Sequence, residues 1–194
     1  MTATATGITA ASATLRSPAR APNFTVLIRE LAPDDAAAFQ ELRLHGLQES
    51  PSAFAGSYED ECDIPLATIA ERLAPQPDRC VLGAFDEQRL IGLLGLKREG
   101  ARKLAHKAFL WGMYVNPAVR RCGTGRQLVA EALARAAAMP GVRQVNLGVN
   151  ASNIAAIRLY EAMGFVAYGL ERGFMLLDGQ LHDEILMAGV LGAD

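Results

Sequence analysis

Two short constellations in this sequence carry residue types that could do chemistry. The first is Arg120-Arg121-Cys122-Gly123-Thr124-Gly125-Arg126, two glycines two apart among three arginines. Glycine lets a backbone approach a ligand closely, and an Ala/Leu-rich helical run begins at once. Free N–H groups and the positive end of a helix dipole then converge on one place, which suits a diphosphate. The loop lacks the third glycine of a dinucleotide fingerprint and the Lys-Ser/Thr of a P-loop. Read alone, its glycines are turn residues. The second constellation spans 153–165, where Asn153 and Tyr160 fall on one helical face about 10.5 Å apart. A tyrosine hydroxyl keeps its proton at neutral pH, so Tyr160 could act as acid towards a departing thiolate. Read alone, the pair is a core tyrosine and a capping asparagine.

A third candidate is the strand that leads into the glycine loop, Phe109-Leu110-Trp111-Gly112-Met113-Tyr114-Val115, stopped by Asn116-Pro117. Alternation predicts Phe109, Trp111, Met113 and Val115 on one face and Leu110 and Tyr114 on the other. If this strand bulges or splays from its neighbour, the backbone of Met113, Tyr114 and Val115 can pair with an amide-bearing ligand as a strand would.

The elements that must hold these residues follow from periodicity and turn chemistry. A strand at 25–29 precedes a helix that starts at Pro33-Asp34-Asp35 and runs to about residue 48, where Pro51 breaks it. The acidic stretch 52–63 reads as a solvated face, and 65–73 as a second short helix. Strands at 80–85 and 90–96 are joined by a turn at 86–89, and the basic run 97–107 reads as a solvated connection. The helix after Gly125 stops at Pro140-Gly141 and a strand fills 142–149. The helix from Asn153 ends at Gly164, with Phe165 placed to pack back on its last turn. Segments 165–170 and 174–177 are extended, Asp178-Gly179 is a hairpin turn, and 184–190 closes the chain. This order predicts a mixed α/β fold, largely antiparallel in its N-terminal half.

The 194 residues fit one domain over 23–194, preceded by an Ala/Thr/Ser-rich tail over 1–22 that reads as disordered. A net charge of −2 gives no global field for nucleic acid or anionic membrane. Cys62, Cys80 and Cys122 fall in no metal-ligand spacing. Their odd number, without a secretory signal, favours a reduced cytoplasm. No apolar run reaches the roughly 18 residues of a membrane span.

Together the motifs resemble the GNAT family of N-acetyltransferases, in element order from about residue 24 to 191 and most specifically over 112–165. The resemblance implies a central mixed, mostly antiparallel sheet flanked by helices on both faces. It implies acetyl-coenzyme A as co-substrate, with the pyrophosphate on Arg120, Arg121, Cys122, Gly123, Thr124, Gly125 and Arg126. The pantetheine arm would lie along Met113, Tyr114 and Val115. Asn153 and Tyr160 would contact the cofactor, Tyr160 protonating the leaving thiolate. Members similar to the ribosomal-protein N-terminal acetylases carry a Glu base five residues before the Asn. That position here is Gly148, so the base cannot be carried over. Glu30, Glu59, Glu171 and His182 are titratable but have no motif behind them. The expected activity is direct acetyl transfer to a primary amine of a small molecule or peptide, without metal, by a monomer or homodimer. The competing reading is a non-catalytic acyl-CoA-binding or sensing module, which an intact Tyr160 disfavours. Residues 41–63 and 170–183 should wall the acceptor side.

Overall fold

Seven strands form one sheet in the order β1-β2-β3-β4-β5-β7-β6. The structure is a computed structural model that describes residues 26–192, so the expected tail at 1–22 lies outside the described residues. β1 (Val26–Glu30), β2 (Arg79–Asp86), β3 (Arg89–Arg98) and β4 (Lys107–Val115) form an antiparallel run. β5 (Gln144–Asn150) lies parallel to β4, and α4 (Thr124–Ala138) supplies the crossover that a parallel pair requires. β6 (Val166–Leu177) and β7 (Gln180–Val190) form a hairpin whose second strand pairs with β5. The predicted mixed, mostly antiparallel sheet is thus the observed one.

Helices cover both faces. On one, Leu128, Val129 and Ala132 of α4 pack on Leu82, Leu94 and Leu96, with α5 (Ile154–Ala162) beside them. On the other, α1 (Ala36–Glu49) and α3 (Leu66–Leu73) bury Leu42, Leu47, Ile69 and Leu73 against Val81, Phe85 and Leu93. Burying these apolar stripes is what fixes the layers.

Local signals account for most boundaries. α5 ends as a Schellman motif: Phe165 N donates to Tyr160 O and Gly164 N to Glu161 O, both at 3.0 Å, with Gly164 at φ 88°. Asp178 and Gly179 both take positive φ, the two-residue turn that matches strand twist. Other elements differ from the sequence reading. The acidic stretch holds a one-turn helix, α2 (Tyr58–Glu61), capped by Ser57 accepting from Asp60 N at 3.2 Å. The two extended segments before Asp178 are one strand, irregular between Glu171 and Met175, and β7 begins at Gln180 instead of 184.

The most consequential difference is in β4. Gly112 has φ 64°, and the pairing with β3 shifts register there, Trp111 opposing Gly95 and Tyr114 opposing Leu93. Such a bulge reverses the parity of everything after it. Tyr114 therefore faces α1 with Trp111, and a Cβ at Gly46 would come within 3.0 Å of its ring. Met113 and Val115 turn to the α4–α5 side. The predicted alternation over 109–115 fails at that one residue.

Candidate functional site

β4 and β5 pair only at Lys107–Gln144, Ala108–Val145 and Phe109–Asn146, and then part. The gap between their C-terminal ends is the floor of a cleft of about 820 Å³. Its wall on one side is the glycine loop and first turn of α4; on the other stand the start of α5 and the segment after α1. Met113, Tyr114, Val115, Arg120, Arg121, Gly123, Thr124, Gly125, Arg126, Asn153 and Tyr160 all line it. Cys122 does not. It is exposed and turns its sulfur to Arg120 O at 3.7 Å.

The loop is built to hold an anion. Arg121 at φ 65° and Gly123 at φ 86° put left-handed residues two apart, the backbone geometry of a nest. Among the described residues, the backbone N–H groups of Gly123, Thr124, Gly125 and Arg126 donate to no backbone acceptor; Gln127 N, bonding Gly123 O at 3.1 Å, is the first of this run that does. Gly123 caps α4 without a side chain, so nothing on the protein competes for those donors. Thr124 is 2% exposed and its hydroxyl has no partner. A buried polar group without a partner is costly, so a ligand at this wall repays the protein. Gly125 serves packing: a Cβ there would stand 2.9 Å from Met113 Cε and 3.3 Å from Leu159 Cδ2. These residues fit a pyrophosphate, and the unpaired edge of β4 fits an amide-bearing arm beside it.

Arg120 is differently engaged from its neighbours. Its Nε donates to Val115 O at 2.9 Å, and its guanidinium grips Glu49, the last residue of α1, at 2.7 Å. That pairing holds the Glu49 carboxyl below the usual carboxylate range. The Tyr114 hydroxyl also donates to Glu49, at 3.3 Å, and burial with the Glu49 charge pushes Tyr114 up to about 12. Arg120 thus ties the loop to the end of β4 and to α1. Glu49 lies within the expected acceptor wall 41–63 but was not singled out as a partner of the loop; 71 positions separate it from Arg120, and no local pattern links them.

Tyr160 is buried on α5 with its hydroxyl 3.2 Å from Met113 Sδ and its ring edge-on to Phe165 at 5.7 Å. Burial pushes it up to about 12, so it carries its proton at neutral pH. Asn153 is the cap of α5: its side-chain oxygen accepts from Ala156 N at 3.1 Å, which leaves its amide N–H₂ uncommitted in a residue that lines the cleft. Asn150, another residue the sequence did not single out, donates to Ser52 O at 2.8 Å and accepts from Ser152 N at 2.8 Å. It fastens the end of β5 to the segment after α1. Of the two expected acceptor walls, residues 49–54 line this cleft and 170–183 do not.

A smaller cavity of about 280 Å³ lies under α1 and α3, lined by Phe39, Leu44, Ile69 and Leu73, the Arg43–Glu61 ion pair and Cys80. Burial and Glu30 push the Cys80 thiol up to about 11, which makes it a poor nucleophile. Among the described residues no group of three or more His, Cys, Asp or Glu is placed to hold a metal ion. No described helix is long and apolar enough to cross a membrane.

The sequence model of the acetyltransferase (GNAT) family matches residues 43–165. Among curated proteins, the ribosomal protein bS18-alanine N-acetyltransferase of Escherichia coli is 38% identical over 82 residues, 42% of this chain and 55% of that protein. The matched stretch thus spans about half the length of that relative. Among solved structures, a GNAT-family acetyltransferase from Streptococcus pneumoniae superposes with a TM-score of 0.77 at 24% identity, over 86% of this chain and 99% of that one. A GNAT-superfamily phosphinothricin acetyltransferase from Sinorhizobium meliloti, solved in complex with acetyl-CoA, gives 0.75 at 21% identity, over 87% and 89%.

Proposed function

This chain belongs to the acetyltransferase (GNAT) family, and on that premise we propose that it transfers an acetyl group from acetyl-coenzyme A to a primary amine by direct attack. The observation that carries the reading is one juxtaposition. The unpaired backbone N–H groups of Gly123, Thr124, Gly125 and Arg126 and a proton-bearing tyrosine line the same cleft, with a free strand edge between them.

Acetyl-CoA would supply an activated acyl group on a good leaving thiolate. The chain's residues do the rest. Arg121, the backbone N–H groups of residues 123–126 and the Thr124 hydroxyl hold the pyrophosphate, and the backbone of Met113, Tyr114 and Val115 aligns the arm. Asn153 contacts it with the half of its amide not spent on the cap. Tyr160 gives its proton to the departing sulfur. Burial ensures that the proton is present and also makes it harder to release. A thiolate leaving in the same water-poor place gains proton affinity for the same reason.

The acceptor enters past residues 49–54 and is an amine of a small molecule or a peptide terminus. We place the catalytic domain at 23–194 and the protein in the cytoplasm, a reducing compartment, which its free cysteines Cys62, Cys80 and Cys122 support. The test is calorimetry with acetyl-CoA followed by a thiol-release assay across amines and peptides with free N-termini. Saturable binding with amine-dependent CoA release is expected. Binding without release under every amine would favour an acyl-CoA sensor.

A further inference from the structure

Gly148 and Asn150 of β5 pair with Leu186 and Glu184 of β7, so all four share one face of the sheet. The Glu184 carboxylate does not stand over its own register partner. It leans along the strand onto Gly148: a Cβ at residue 148 would overlap its Cδ and both its oxygens. The bare backbone of Gly148 is the space that this carboxylate occupies. Gly148, Val149 and Asn150 are also cleft residues, at the point where β4 and β5 have parted. A carboxylate from a neighbouring strand therefore sits where the Cβ of any other residue at position 148 would stand.

Its surroundings make it available. Among the described residues Glu184 has no ion-pair partner. Glu171 opposes it on β6, and His182 lies two residues along β7 on the same face, its Nδ1 3.5 Å from Asn150 Nδ2. Partial burial and the Glu171 charge raise its proton affinity. A carboxylate of raised affinity near a cleft is a better proton acceptor at neutral pH than an exposed one.

We propose that Glu184 is the general base, taking the proton that the acceptor's ammonium group must lose before its nitrogen can attack. This rests on the acetyl-transfer reading above. The N–H bond breaks and its proton passes to a Glu184 oxygen. The freed lone pair forms the bond to the acetyl carbon, the carbon–sulfur bond breaks, and the sulfur takes the Tyr160 proton. The acylated nitrogen, still carrying two hydrogens, gives its second proton to the Tyr160 phenolate by way of solvent, and solvent removes the proton from Glu184, for a net release of one proton per turnover. Gly148 is the permissive residue, since any side chain there would displace the base.

The experiment measures kcat/KM against pH for the full chain with acetyl-CoA and two probe acceptors, a peptide with a free N-terminal alanine and a simple diamine. Glu184→Gln should leave acetyl-CoA affinity unchanged and lower kcat/KM about 10²-fold at neutral pH, the usual share of a general base. The loss should shrink as pH rises and the free amine becomes abundant. Glu184→Ala combined with Gly148→Glu, which supplies a carboxylate beside that place from the other strand, should recover part of the rate. A wild type that acetylates either probe, with Glu184→Gln following the same profile, overturns the base assignment and leaves acetyl transfer standing. A wild type that binds acetyl-CoA but acetylates neither probe at any pH overturns both readings.

Discussion

The hydroxyl of Tyr160 donates to the sulfur of Met113 across 3.2 Å, joining α5 to the first residue of β4 beyond its bulge. A thioether is a weak acceptor, so this bond holds the hydroxyl in the cleft without committing it. A departing thiolate would be the stronger partner.

Met113→Leu is therefore expected to be mild. It conserves volume, so the stability cost should stay under about 1.5 kcal/mol. Turnover should remain near wild type, because the backbone of Met113 and not its sulfur lies along the arm. Thermal melts and steady-state rates check this; a large loss of kcat would show that the Met113 sulfur itself positions the acid.

The two loop glycines should fail for different reasons. Gly123 has open space around it but φ 86°, so Gly123→Ala strains the nest without a clash. Gly125→Val would crowd Met113 and Leu159. Both should weaken acetyl-CoA binding at least about tenfold, equivalent to about 1.4 kcal/mol, with the fold retained by circular dichroism. Undiminished affinity in both, by calorimetry, would remove the loop from the site.

Much of this was legible because it is local. Gly164 followed by Phe165, Asp178-Gly179, and Pro117 before the glycine loop each encode a turn within a few residues. The Asn153–Tyr160 spacing follows from helix geometry alone. What escaped depends on contacts far apart in sequence. One glycine, Gly112, moves Tyr114 to the opposite face, and nothing nearby marks it as a bulge and not a plain strand residue. Glu49 meets Arg120, and Glu184 meets Gly148, only through the sheet register and the packing of α1. Glycine at 148 reads in sequence as a missing base. In the sheet it is room for the carboxylate of Glu184 on the neighbouring strand.

Asn153 carries two jobs that substitutions can separate. Asn153→Ala removes the cap of α5 and should cost about 1 kcal/mol of stability as well as weakening acetyl-CoA binding. Asn153→Asp keeps the capping oxygen and replaces the N–H₂, so stability should hold while affinity falls. Equal melting of all three proteins would deny the cap its role.

The Glu49–Arg120 pair gives a pH dependence of definite sign. The folded-state carboxyl is held low, so its stabilisation is present above the unfolded pKa and is lost as pH falls through the folded one. Melts from neutral to acid pH should show wild type losing more stability on acidification than Glu49→Gln. Parallel curves would mean that the pair contributes nothing measurable.

The most direct measurement is the turnover of Tyr160→Phe. Phenylalanine keeps the buried ring against Phe165 and deletes only the hydroxyl. Acetyl-CoA affinity should match wild type, and kcat should fall about 10²-fold if the hydroxyl is the acid. A Tyr160→Phe protein that binds acetyl-CoA and acetylates its acceptor at the wild-type rate across the pH range would contradict the assignment of this cleft's chemistry.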